Sequence, residues 1–214
     1  MTRLRNGGHG DAGQAFPIYI TVVAGLLFLA FAYFAVGQAA VNRNGAQTAA
    51  DAAALAAAQE TRDELADLWA LDVRDPARWQ EIFDGVGGHN ECWRAEQLAA
   101  MNDAGNVACV PDGLLEYDVT VQANKSVGTS VVPGTEGRRA HASATAVIEP
   151  LCTFEPPAED GEDPEGGEEG DGEAEEPVVL PRLTCDGVDW ELDPEDLTDL
   201  PGPEDLFDVH LANG

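Results

Sequence analysis

The sequence predicts an α+β protein with a single amino-terminal transmembrane helix, extended into a long exterior helix, and a small antiparallel-sheet domain. Three observations predict this fold class. An uncharged apolar stretch lies near the amino terminus, an alanine-rich stretch follows it, and two later segments alternate apolar and polar residues. The chain has 214 residues, so the part after the apolar stretch is long enough for one small domain.

The apolar stretch, residues 12–42, contains no Asp, Glu, Lys, Arg or His. Its centre, residues 18–36, has about the length that a helix rising about 1.5 Å per residue needs to cross a hydrocarbon core of roughly 30 Å. A helix on the surface of a soluble domain carries a polar face, whereas the polar side chains of this centre are only Tyr19, Thr21 and Tyr33. We therefore expect one membrane-spanning helix.

The charges on either side of the stretch predict its orientation. Arg3 and Arg5 precede it and Arg43 follows it, and positive residues stay on the cytoplasmic side. We expect residues 1–11 to be a cytoplasmic tail and the chain after about residue 42 to be extracytoplasmic. A cleaved secretion signal is the alternative, because residues 35–37 loosely resemble a cleavage site. The apolar run is, however, longer than the usual 7–15 or so residues of such a signal.

The composition is strongly acidic, with 40 acidic residues against 11 basic ones and a net charge of −29. Nucleic acid and anionic lipid carry phosphate charge, so the chain as a whole would be repelled by either. The simplest interpretation is an acid-rich, solvated exterior surface.

All four cysteines follow the apolar stretch, in the compartment where disulfides persist. We favour Cys92–Cys109 and Cys152–Cys185, because each pair closes a local loop. Free thiols and a metal site are the alternatives, although no C-x-x-C occurs and the spacings fit no common zinc pattern.

Residues 43–72 form an alanine-rich segment that is predicted to continue the transmembrane helix outside the membrane. Small side chains allow another backbone to approach closely. Two packing partners remain open, namely neighbouring subunits and the sheet of the same chain. The candidate packing residues are Ala46, Ala49, Ala50, Ala53 and Ala57.

Residues 73–154 are predicted to form the exterior α+β head. Its expected elements are short helices at 77–83 and 91–103 and strands at 115–123 and 139–149. The linker 124–138 contains Gly and Pro and is predicted to be a long hairpin loop.

Residues 155–177 are a low-complexity acidic insertion, which we expect to be disordered. Residues 178–214 form the carboxy-terminal part of the head. Their expected short strands lie at 178–183, 188–192 and 206–211.

No catalytic signature is present in the sequence. It lacks G-x-S-x-G, H-E-x-x-H, a P-loop and G-x-G-x-x-G, and its four histidines are scattered. We therefore predict no catalytic, cofactor-binding or metal-binding residue, no cofactor and no enzymatic activity.

The stretch GQAFPIYI before the span and RNGAQTAADAAALAAA after it resemble the TadE/TadG-like group of Tad (Flp) pilus-assembly proteins, especially actinobacterial members. The similarity covers residue 13 to about residue 59, and its most specific part is residues 49–58. The resemblance implies a pilin-like membrane protein with a long amino-terminal helix and an exterior head, which takes part in building or anchoring a surface fibre.

The function implied by the resemblance is a non-enzymatic, membrane-anchored structural or assembly component of a Tad/Flp-type pilus or secretion apparatus. Its partners would be other pilin-like or Tad-apparatus membrane proteins, or further copies of itself, and not nucleic acid. The resemblance does not extend to prepilin-peptidase processing. That enzyme typically prefers Glu five residues after the Gly at which it cuts. At this distance, Gly10 is followed by Ala15 and Gly13 by Ile18. The alternative function is a single-pass anchored extracytoplasmic binding module for a cation, a cell-wall component or a basic protein.

Overall fold

The longest element of the computed structural model is helix α1, which runs from Ala15 to Leu71 over 57 residues. The structure describes residues 15–126, 137–155 and 180–212. At about 1.5 Å per residue, α1 is about 85 Å long. The helix continues through Asn44 and Gly45, so the predicted transmembrane and alanine-rich segments form one helix.

Short helices follow α1. A 3-10 turn at Pro76–Arg78 leads directly into α2, Trp79–Phe83, and the third helix, α3, spans Cys92–Met101. These elements confirm the two short helices predicted from the sequence. The third helix ends earlier than predicted because Asp103 takes a positive φ of 57°, which a right-handed helix excludes.

Seven strands and a fourth helix complete the part of the fold that the structure describes. The strands are β1 (Ala104–Pro111), β2 (Glu116–Ser126), β3 (Arg139–Pro150), β4 (Cys152–Phe154), β5 (Leu183–Cys185), β6 (Val188–Trp190) and β7 (Phe207–Leu211), and helix α4 is Pro203–Leu206. One antiparallel sheet has the order β1-β2-β3-β7, and a smaller one has the order β4-β5-β6. Strands β2 and β3 are the predicted hairpin, and the acidic insertion, except for Glu155, lies outside the described residues.

The sequence analysis missed β1 and β4. No element was predicted for residues 104–111, where Gly105 and Asn106 interrupt any alternation of apolar and polar residues. In the structure the register with β2 shifts between Gly105 and Ala108, and Asn106 has a φ of 51°. A bulge of this kind leaves no period of two to recognise.

The predicted strand at 178–183 is wrong in its described part, apart from Leu183. Residues 180–182 are not in a strand, and Pro181 has no N–H to donate to a ladder. The strand instead centres on Thr184 and ends at Cys185, which is the register partner of Cys152. The other two carboxy-terminal strands are present and somewhat shorter than predicted.

Both disulfides have the pairing that the sequence analysis favours. Cys92–Cys109 joins α3 to β1 with a Cα–Cα distance of 5.7 Å. Cys152–Cys185 joins β4 to β5 with a Cα–Cα distance of 4.0 Å. The second bridge therefore holds together the two strands on either side of the acidic insertion.

The core lies between α1 and one face of the larger sheet. Alternate residues of β2 are buried there, as the alternation predicts: Tyr117, Val119, Val121 and Ala123. At the carboxy-terminal end of α1, Trp69 packs against Trp79, with ring centroids 5.5 Å apart. Nearby, Phe83 packs against Phe207, with ring centroids 5.6 Å apart. Large rings therefore fill the outer end of the core, while alanines line the helix nearer its middle.

A buried hydroxyl pair joins α1 to the sheet. The Tyr117 hydroxyl lies 2.7 Å from the Thr61 hydroxyl, and the two residues are 2 % and 1 % exposed. The Tyr117 hydroxyl also donates to the His89 carbonyl at 3.1 Å and accepts from the Glu91 N–H at 3.2 Å. One side chain thus satisfies polar groups from the helix and from the loop before α3.

Replacing Tyr117 with Phe should lower the free energy of unfolding by about 1–3 kcal/mol, because buried polar groups lose their partner. Chemical denaturation in detergent, followed by tryptophan fluorescence, measures the change. Tyr33→Phe is the control, since Tyr33 is 84 % exposed and should leave the midpoint unchanged. Equal midpoints for both variants would show that the network contributes nothing.

Replacing Cys152 and Cys185 together with Ala should lower the free energy of unfolding by about 4 kcal/mol, and the Cys92/Cys109 double variant by about 3 kcal/mol. These values follow from loop-closure entropy for sequence separations of 33 and 17. The same denaturation assay compares the two variants with the parent protein. A stability equal to that of the parent in both variants contradicts the expectation.

Candidate functional site

The first half of α1 is apolar and exposed. We call residues 15–45 the apolar half; between Phe16 and Gly45 nearly every side chain lies on the surface. Its exposed large residues include Phe16, Leu26, Phe28, Phe31 and Phe34, each at least 62 % exposed. Within the described residues, one helix is long and apolar enough to cross a membrane, and none of its most apolar window is buried. An apolar surface of this extent is far larger than soluble monomers usually expose.

One side of the second half of α1 packs against the head. We call residues 46–71 the alanine half, and residues 73–155 and 180–212 the described head. The five alanines proposed from the sequence all have an exposed fraction of 0 %: Ala46, Ala49, Ala50, Ala53 and Ala57. The Gln47 amide donates to the Ser143 carbonyl of β3 at 3.1 Å, which ties the helix to the sheet beside this face.

The structure therefore contains one of the two packings that the sequence left open, that of the alanine half on its own sheet. Contact of these alanines with neighbouring subunits stays a prediction, and it would require the sheet to move away. The surface of α1 that remains available to other chains is the apolar half, together with the outward side of the alanine half.

A shallow groove runs along that outward side, between α1 and α3. Its apolar floor includes Leu55 and Leu98, and its rim carries charged residues. Arg94 pairs with Glu60 at 3.0 Å, and Arg62 pairs with Asp63 at 2.7 Å. These ion pairs are partly exposed and contribute about 1 kcal/mol or less each to stability, and they pair both arginines of the groove with carboxylates of the same chain.

Most basic side chains of the described head have an acidic partner. Besides the two arginines of the groove, Arg78 pairs with Asp72, and Arg182 pairs with Glu191 at 3.2 Å. Lys125 contacts Asp103 at 2.8 Å, and the hydrogen bond and the charge of this carboxylate raise the pKa of the lysine.

Four arginines form no ion pair with any residue that the structure describes: Arg43, Arg74, Arg138 and Arg139. Arg74 donates to the Pro194 carbonyl at 2.9 Å. The other three are exposed: Arg138 and Arg139 lie at the end of the β2–β3 hairpin that approaches Asn42, and Arg43 follows Asn42 on α1. The sequence analysis did not single out Arg138 and Arg139. The available signal was an Arg-Arg pair at the start of a predicted strand in a chain with few basic residues.

The four cysteines and the three described histidines each have a partner within the chain. The four cysteines form the two disulfides, so they are neither free thiols nor metal ligands. His89 contacts Glu64, and His210 lies 2.9 Å from Asp208. In the described part of the chain, no three His, Cys, Asp or Glu side chains are grouped as they would be around a metal ion.

Replacing Ala50 and Ala53 with Leu should destabilise the head by about 1–3 kcal/mol per site, because extra carbon atoms enter a filled interface. Denaturation followed by tryptophan fluorescence measures the change. Thr48→Leu with Gln59→Leu is the matched control, since both positions are exposed on the same helix. Equal stability of the two double variants would contradict close packing of the alanine half.

A comparison with known families confirms the resemblance seen in the sequence. The family model described as "Putative Flp pilus-assembly TadE/G-like" matches residues 13–60. The matched segment contains the whole apolar half and all five of the alanines proposed from the sequence. Neither a curated protein nor a solved structure is significantly similar to the chain. Residues 13–60 are therefore similar to the TadE/G-like family, and the similarity covers about a fifth of the chain.

Proposed function

We propose that the protein is a non-enzymatic, membrane-anchored, pseudopilin-like component that helps to build or anchor a Tad/Flp-type pilus or secretion apparatus. One observation carries the proposal. The TadE/G-like segment coincides with the part of α1 that joins an exposed apolar half to an alanine half buried in a disulfide-linked head. The matched segment thus contains both the proposed anchor and the part of α1 against which the head begins to pack.

The apolar half supplies the anchor. It extends for about 45 Å, against a hydrocarbon core of roughly 30 Å. Every backbone N–H and C=O within such a helix is satisfied by the helix itself, which is the requirement for crossing lipid. The Thr21 hydroxyl also donates to the Pro17 carbonyl at 2.8 Å and so presents no unsatisfied donor to the lipid.

The proposed orientation places the amino terminus in the cytoplasm and the head outside. Arg3 and Arg5 lie before the apolar half, where positive charge is retained on the cytoplasmic side. The two disulfides support this orientation, because such bonds persist mainly in oxidising compartments.

The proposed partners are other pilin-like or Tad-apparatus membrane proteins and further copies of this chain. We assign their contacts to the apolar half, because the buried alanines of the alanine half already pack within their own chain. Gly25 and Gly37 face open space and carry no side chain, so each leaves a notch between its larger neighbours on the surface of the helix. Small residues of this kind allow close helix–helix approach in lipid.

Photocrosslinking in membranes of the native host tests the proposal. A photoreactive amino acid placed singly at positions 22–33 should crosslink to pilin-like or Tad-apparatus proteins with a period of three to four residues. Position 112 is the control, because Asp112 is exposed between β1 and β2, away from the apolar half, and should give no crosslink to these proteins.

The same experiment separates the proposal from its alternative, an anchored binding module. A chain that resists alkaline extraction but gives no crosslinks from the apolar half would be an anchor without an assembly partner. That result would overturn the assembly role and favour the binding module.

A further inference from the structure

The end of the β2–β3 hairpin lies beside α1 where the apolar half ends. The Asn42 side-chain amide is 3.4 Å from the Ser126 carbonyl, and Ser126 is paired with Arg139 across the hairpin. Farther along the helix, Thr61 contacts Tyr117 at the opposite end of β2. The two contacts fix both ends of the strand against the helix.

The lengths of the two elements agree with a side-by-side arrangement. From Asn42 to Thr61, α1 rises by about 28 Å. From Ser126 back to Tyr117, a strand covers about 30 Å. The hairpin end at Ser126 and Arg139 is therefore the part of the described head that is nearest to the apolar half.

This end lies at the level of the lipid headgroups when the apolar centre fills the bilayer. The centre ends at about residue 36, and Asn42 follows about 9 Å farther along the helix. The headgroup layer on each side of the hydrocarbon core is about 5–8 Å thick. Side chains as long as arginine reach the headgroups from this position.

The charge at this end is opposite to that of the chain as a whole. We call Arg43, Lys125, Arg138 and Arg139 the basic rim. Among the described residues, Asp103 is the carboxylate within this end, and it already contacts Lys125 at 2.8 Å. Glu136 adjoins the rim in sequence and lies outside the described residues; when it is counted, the rim remains net positive.

We propose that the basic rim binds the phosphate groups of anionic phospholipids in the leaflet from which α1 emerges. Guanidinium groups bind phosphate oxygens through paired hydrogen bonds, and the three rim arginines have no ion pair within the described chain. The contact would hold the head against the bilayer surface and so fix its rotation about α1.

The net charge of −29 does not oppose this contact. Charges in physiological salt are screened over about 8–10 Å. The acidic residues at the far end of the hairpin, such as Glu116 and Glu149, lie about 30 Å from the rim and are therefore screened from it. The rim is also compatible with an extracytoplasmic head, because Arg138 and Arg139 lie too far along the chain from the span to set its orientation. Arg43 is the single basic residue directly after the apolar half, against Arg3 and Arg5 before it.

The full-length chain in nanodiscs that contain both phosphatidylglycerol and phosphatidylcholine provides the test. A fluorescent amino acid at the exposed position 124 is quenched by either lipid, spin-labelled near the top of its acyl chain. The ratio of the two quenching efficiencies measures the enrichment of anionic lipid beside the rim. Each basic residue near an anionic surface is worth roughly a fivefold enrichment, so the ratio should be severalfold above one at low salt.

The double variant Arg138→Gln, Arg139→Gln should lower this ratio severalfold, because two of the four basic residues of the rim are removed. The matched control, Arg78→Gln with Arg182→Gln, also removes two positive charges, at exposed sites away from the rim, and should keep the ratio of the parent protein. A ratio unchanged by the rim variant, or lowered equally by the control, would overturn the proposal.

The inference rests on the proposed anchoring, and the two can fail separately. Alkaline extraction from the same bilayers reports whether the chain is inserted. A chain that is extracted contradicts the anchor itself. An inserted chain with a ratio of one contradicts only the contact between the rim and the lipid.

Discussion

The close approach of α1 to its own sheet is the contact on which the rest of the structure depends. Ala46, Ala50 and Ala57 are completely buried there, and side chains of one carbon allow the helix backbone to lie directly against β2 and β3. Such packing gains many short contacts, but each alanine buries little apolar area. Fully buried large rings lie toward the carboxy-terminal end of α1, where Trp69 and Trp79 meet. The alanines therefore determine the distance between helix and sheet, and the aromatic cluster and the disulfides stabilise the head around that distance.

In the proposed arrangement, one helix belongs to two environments. Its apolar half is solvated by lipid and its alanine half by protein, and the backbone runs through Gly45 from one to the other. The head contacts the helix from Asn42 onward. A displacement of the span would therefore move the head with it, because no flexible linker lies between them. A component that transmits position in this way suits an assembly that is built at a membrane and extends away from it.

Sequence periodicity predicted the elements in which one physical environment persists over many residues. Strand β2 has one buried and one exposed face throughout, and the apolar half of α1 has no polar face, so both could be recognised from the sequence. Strand β1 could not, because the bulge near Asn106 interrupts its alternation. The pairing of Cys152 with Cys185 followed from loop closure alone. The basic rim could not be predicted, because it forms only when the fold brings residues near Arg43 next to the end of the hairpin, far along the chain. The net charge of the sequence gives no sign of such a local positive cluster.

The continuity of α1 across the boundary between its two halves is the central claim, and a distance measurement tests it most directly. Spin labels carried by non-natural amino acids at the exposed positions 38 and 67 leave both disulfides intact. In a bilayer, an unbroken helix predicts a single narrow distribution centred at about 43 Å. A broad distribution, or one centred well below this value, would contradict the account, because the head would then be hinged to its anchor rather than built on it.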